Sequence, residues 1–172
     1  MPCRPGAAAF ATSGATPPRE DHMLKGIDNR LNADVLRILR AMGHGDVLIV
    51  ADTNFPSDSV ARATVTGELL RMENLTSAQA VQAILSVLPL DTFVDDFAGR
   101  MEVVGNPAEI PPVQAEVQAE IDRAEGRPRP MISIERFAFY DMARQSYAVI
   151  QTGERRFYGC FMFRKGVIPP EA

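Results

Sequence analysis

Tryptophan is absent from this chain of 172 residues, and histidine and cysteine each occur only twice. Two cysteines, Cys3 and Cys160, build no disulfide framework, which points to a reducing compartment and a cytoplasmic location. Apolar runs such as Val47–Ala51 are far too short to cross a bilayer, so no membrane partner is expected. Positive charge is in deficit, with 18 Lys and Arg against 22 Asp and Glu and a net charge of -4, which argues against nucleic acid as a partner. No phosphate-cradling glycine loop, nucleophile elbow, zinc motif or internal repeat is found. What remains is ordinary for a globular protein, 46% hydrophobic and 23% charged, and long enough for one domain with a real core.

Residues 1–22 are rich in Pro, Ala, Gly, Ser and Thr without periodicity, and read as a flexible extension, the folded unit being 23–172. Asn32 is a good N-cap for a helix whose face is Val35, Leu36, Leu39 and Met42, with Gly43 as its left-handed cap. Val47–Ala51 shows no alternation and reads as a strand buried on both faces. Strands are also expected at Leu69–Met72, 101–104, Ile132–Ile134, Tyr147–Thr152 and Phe157–Arg164, the last two joined by a turn at Gly153. Helices are expected from Thr76, capping-boxed with Gln79 and closed by Pro89; from Pro111-Pro112 to Gly126; and over Phe137–Gln145. Alternating strands and helices predict a single α/β layered domain with a largely parallel central sheet, helices flanking it, and an antiparallel hairpin at the C-terminus. In the last strand Phe157, Gly159, Phe161 and Phe163 share one face, and Tyr158, Cys160 and Met162 share the other, which either lines a pocket or is simply covered.

Chemistry near neutral pH falls first to His44, set between Gly43 and Gly45, because imidazole is the side chain that titrates there. It reads either as a histidine meeting a nearby carbonyl at a helix end, or as a group giving and taking protons beside a ligand. Asp52 ends a strand, where α/β sheets present ligand-binding groups, and equally suits a turn. Asp46, Asp52, Asn54 and Asp58 lack calcium-loop spacing and have no second histidine or cysteine nearby, so no metal site is expected. Arg136 and Tyr140 lie one helical turn apart, on one side of a helix. A strand of five residues separates its flanks by roughly 15 Å, so His44 and Asp52 of one chain do not reach one small ligand. Either the loop folds back, or the site is completed across a subunit boundary; the second is the expectation taken here.

Five motifs in order, Met42-Gly43-His44-Gly45-Asp46, Asp52-x-x-Phe55-Pro56, Arg136-Phe137-Ala138-Phe139-Tyr140, Thr152-Gly153-Glu154, and Tyr158-Gly159 before Lys165-Gly166-Val167, resemble the L-fucose mutarotase and D-ribose pyranase family, closer to the fucose branch. The likeness runs from about Met23 to Ile168. It implies an enzyme that interconverts the α and β anomers of a free monosaccharide without cofactor or metal. It also implies a ring-shaped homo-oligomer, a decamer in one form, with sites between subunits. By position, His44 matches the family's proton donor, and Asp52, Arg136, Tyr158, Gly159 and Cys160 match its sugar-binding positions, with Tyr140 a further contact. The resemblance puts asparagine where this chain has Cys160, and a thiol donates and accepts only weakly, so the preferred sugar is either a relative of fucose lacking that contact, or fucose held through the Cys160 backbone. The runner-up expectation is a sugar-binding or regulatory protein on the same scaffold without catalysis.

Overall fold

The computed structural model describes residues 23–170, so the expected extension 1–22, with Cys3 and His22, lies outside the described residues. Helix α1 (Ala33–Ala41) starts where Asn32 Oδ1 accepts the Val35 N–H at 2.9 Å. Its C-terminus departs from expectation. Gly43 is not left-handed; Gly45 is, with φ 85°, and the carbonyl of Leu39 accepts from Lys165 Nζ at 2.7 Å. A cation from the far end of the chain thus replaces the local cap. Burial, the first cause, lowers the Lys165 pKa.

Strand β1 (Val47–Ala51) keeps its expected bounds and is buried on both faces: Leu48 and Val50 enter one hydrophobic cluster, Ile49 and Ala51 the other. Burying each such side chain stabilises the fold by roughly 1.5–3 kcal/mol. Asp52 to Pro56 turn into a short helix α2 (Ser57–Ala61) that the turn-forming residues had concealed. β2 (Leu69–Met72) follows, then α3 (Ser77–Leu85), whose Thr76–Gln79 capping box is complete and which ends before Pro89. β3 occupies Ala98–Met101 rather than 101–104. Its Ala-Gly-Arg-Met run has little strand character, but a Cβ on Gly99 would lie 2.4 Å from Ile134 Cδ1, so the glycine permits close strand packing. α4 (Pro112–Glu125) ends at Gly126, φ 66°. β4 (Ile132–Ile134), α5 (Arg136–Gln145), β5 (Ala148–Thr152) and β6 (Phe161–Arg164) complete the chain.

The six strands run in the order β2-β5-β1-β6-β3-β4, parallel except at β6. The α/β class and mostly parallel sheet are as expected, but β5 and β6 form no hairpin. β1 lies between them, and β6 pairs antiparallel with β1 and β3. β1 takes the place between β5 and β6 because its side chains are apolar on both faces, and at Tyr158 a left-handed φ of 63° ends the extended pattern, so the last strand begins only at Phe161. Phe157 consequently leaves the core face and is exposed, while Phe161 and Phe163 are fully buried. One face of the sheet packs on α1, α3 and α4, the other on α2 and α5. The carboxyl ends of β1, β3 and β4 and the start of β6 therefore share one edge of the sheet, where such sheets hold ligands. The His44 loop lies at the opposite edge.

Candidate functional site

Asp52 leaves β1 almost wholly buried, 3% exposed. Its Oδ1 accepts the N–H groups of Asn54 and Phe55 at 2.9 and 3.1 Å, and its Oδ2 accepts the Gly159 N–H at 3.0 Å. A carboxylate offers about four lone-pair directions, and backbone N–H groups take three of them. Asp52 opens into a cleft of about 380 Å³ whose walls include Phe55, Met101, Arg136, Tyr140, Tyr158 and Cys160. Gly159 has no side chain to present. It brings its backbone against Asp52, and a Cβ there would meet Glu154 Cγ at 2.9 Å and Asp52 Cβ at 3.2 Å.

Arg136 opens α5 and places its guanidinium carbon 5.7 Å from the Tyr140 ring centroid. It makes no ion pair among the described residues, leaving donors for a ligand. Tyr140 stacks on Phe55 at 5.2 Å with the rings 14° apart, which fixes the aromatic wall. Tyr158 Oη accepts the Val104 N–H at 3.3 Å, so its own hydrogen remains free to donate into the cleft. Holding a tyrosine left-handed costs on the order of 1–2 kcal/mol, which the surroundings must offset. Burial, and then the negative charge of Asp52, push the Cys160 thiol well above its usual pKa, so it stays protonated. Cys160 is free of disulfides and 2% exposed.

Beneath the cleft, Glu154 is 3% exposed and receives the Arg156 N–H and Nε at 3.0 and 2.9 Å, with Arg156 Nη2 at 2.8 Å. Those bonds hold its carboxyl at about 2 against the penalty of burial. Arg156 reaches on to Glu116 of α4 with a bidentate pair at 2.7 and 2.8 Å. The loop carrying Tyr158 is thereby tied to the helix layer.

The cleft therefore gathers Asp52, Arg136, Tyr140, Tyr158 and Cys160, but neither His44 nor Gly159, whose N–H and carbonyl are taken by Asp52 and Ser77 behind the wall. That histidine sits at the other end of β1, where the Gly45 N–H donates to the Lys165 carbonyl at 2.8 Å and the Lys165 N–H to the Asp46 carbonyl at 2.9 Å. His44 Nε2 lies 3.0 Å from Asp91 Oδ2. A carboxylate only accepts, so His44 Nε2 is the donor of this pair. Asp91 is buried, its other oxygen taken by the Phe93 N–H at 3.0 Å, whereas the His44 side chain is 45% exposed and meets Phe93 edge-on at 5.7 Å. Sequence reasoning missed Asp91, which stands 47 residues from His44 in a stretch without any local motif. Phe157, exposed at the cleft mouth, and Phe93, exposed beside His44, are the aromatic residues on the two rims. Among the described residues no group of acids, cysteines and histidines is placed to hold a metal ion.

Residues 25–168 match the model of the RbsD / FucU transport protein family. Fucose mutarotase of Homo sapiens is 40% identical over 149 residues, covering 84% of this chain and 94% of that protein. The crystal structure of protein Atu2016 is 63% identical with a TM-score of 0.84, covering 87% of this chain and 99% of the other. The fucose mutarotase of Streptococcus pneumoniae in complex with L-fucose is 31% identical, with a TM-score of 0.76 over 85% of this chain and all of that one.

Proposed function

The chain belongs to the RbsD / FucU family, and on that premise we propose that it is a mutarotase interconverting the α and β anomers of a free monosaccharide, L-fucose or a related aldose, without metal or cofactor. One observation carries the reading: the cleft with Asp52 and the described histidine with its carboxylate lie at opposite ends of β1. A small sugar in the cleft is out of reach of the His44 of its own chain. A second copy brings His44 to it, and the exposed Phe93 and Phe157 on the two rims suit burial between subunits. The working form is then a ring-shaped homo-oligomer, of up to ten subunits in the family's arrangement. A cytoplasmic location agrees with the buried free thiol and with the absence, among the described residues, of any helix long and apolar enough to cross a membrane.

In this reading Asp52 accepts a sugar hydroxyl through its remaining lone pair, Arg136 donates to others, and Tyr140 and Phe55 cover an apolar face of the ring. His44 Nδ1 takes the proton of the anomeric hydroxyl, while the ring oxygen gains a proton from an acid beside it, for which the free hydrogen of Tyr158 is available. The bond between C1 and the ring oxygen breaks with its electron pair leaving on that oxygen. The aldehyde end of the open chain rotates, and the reverse transfers close the other anomer. Such proton transfer is worth about 10²–10⁴-fold, enough for a reaction that already proceeds slowly in water.

The test is complementation. His44→Ala and Asp52→Asn chains, each alone, are expected to lose enzyme-dependent line broadening between the anomer signals in NMR. Chains of the two kinds refolded together are expected to regain part of it, because some sites then receive both intact halves. No recovery in verified mixed oligomers rules out the shared site. Full exchange by His44→Ala alone removes the histidine from the mechanism.

A further inference from the structure

We propose that Gln114 is a positioning residue for Tyr158, acting with Arg100 to aim the phenol into the cleft; the inference rests on the role given to Tyr158 above. Gln114 stands in α4 beside the apolar stripe of Val113, Val117 and Ile121, yet its side chain is fully buried. A buried amide is unfavourable unless its groups are paired, and these are. Nε2 donates to the carbonyls of Met101 at 2.7 Å and Tyr158 at 3.0 Å, and Oε1 accepts from Arg100 Nη1 at 3.1 Å. A guanidinium has no acceptor, so the amide oxygen must face it and both amide hydrogens must face the carbonyls.

Arg100, 7% exposed, also donates to the carbonyls of Pro107 at 3.0 Å and Glu109 at 3.4 Å. It thereby anchors the loop whose first part carries Val104, and the Val104 N–H is what meets Tyr158 Oη. Both ends of Tyr158, the main-chain carbonyl and the phenol oxygen, are thus tied back to one buried amide and guanidinium pair. Left-handed backbone persists at a tyrosine only where surrounding contacts impose it, and this circuit supplies them. Met101, the other carbonyl held by Gln114, is itself a wall of the cleft, so one side chain joins two walls.

The experiment uses the full-length protein in its native assembly, with Gln114→Met, which keeps length and apolar packing, and Gln114→Glu, which keeps the Arg100 bond and loses both donors. Amide hydrogen exchange is read at Val104 and Gly159 and, as a reference, at Val149 and Ile150 in β5. Both variants are expected to speed exchange about tenfold at the first two and leave the reference amides unchanged. Unchanged rates at Val104 and Gly159, an equal rise in β5, or failure of both variants to fold assigns Gln114 to general core stability and overturns the proposal. A second readout is the rate of anomer exchange in a double-mutant cycle with Tyr158→Phe. The loss caused by Gln114→Met is expected to vanish in the Tyr158→Phe background, whereas additive losses overturn the proposal. Should the wild type show no anomer exchange, the mutarotase reading fails, and the amide rates still decide what Gln114 does.

Discussion

Replacing Glu154 by glutamine tests whether the ion network under the cleft is held by charge. The carboxyl is buried, carries four hydrogen bonds from Ser77 and Arg156, and sits at about 2 instead of 4.5. That difference corresponds to about 3 kcal/mol by linkage. Arg156 is 42% exposed and screened by solvent, which reduces the expectation to about 2 kcal/mol. A folded-state pKa below the unfolded one stabilises the native state fully above pH 4.5 and progressively less as pH falls towards 2. Glu154→Gln keeps the shape but offers one acceptor oxygen and turns an NH₂ group towards a donor. At pH 7 the variant is expected to melt about 4–8 °C below the wild type. At pH 3 the gap is expected to shrink below half of that, because the wild-type carboxyl is then losing its advantage. Thermal unfolding followed by circular dichroism across pH 7 to 3, at one fixed protein concentration, measures both. A gap that stays constant over the whole range refutes the electrostatic account and leaves only packing.

Gly159→Ala places a Cβ 2.9 Å from Glu154 Cγ and 3.3 Å from Ser77 Oγ; a loss of about 1–3 kcal/mol in urea unfolding and weaker sugar binding by calorimetry are expected, and a native stability contradicts the close approach. Cys160→Asn restores an amide donor and acceptor in the cleft, and roughly tenfold tighter binding of L-fucose is expected by titration; unchanged affinity with native stability shows that the amide makes no contact with that sugar. Asp91→Asn removes the charge beside His44 and leaves one acceptor oxygen for two donors, His44 Nε2 and the Phe93 N–H, so anomer exchange is expected to slow about tenfold or more with sugar affinity unchanged, and an unaltered rate dismisses Asp91 from the chemistry.

Legibility in the sequence follows the range of the interactions. The caps at Asn32 and Thr76 were readable because the partners sit three residues away, at Val35 and Gln79. β1 was readable because a strand covered on both faces needs an unbroken apolar run. Gly126 marked its helix end because left-handed backbone suits glycine. β3 hid behind Gly99, chosen for close packing on Ile134 and not for strand propensity. Gly43 misled because the real cap, Lys165, arrives from the other end of the chain.

The site divides in the same way. His44, Asp52 and Arg136 lie at element ends as expected, Tyr158 precedes β6 instead of lying within it, and the length of β1 alone separated His44 from Asp52. The choice of Asp91 as the partner of His44, and of Gln114 as the holder of Tyr158, belongs to the tertiary structure. So does the insertion of β1 between β5 and β6. Local periodicity and capping depend on residues within a turn of one another and leave a pattern in the chain. Pairings across the sheet and between layers depend on which surfaces bury most completely together, and that is decided only when the whole chain packs.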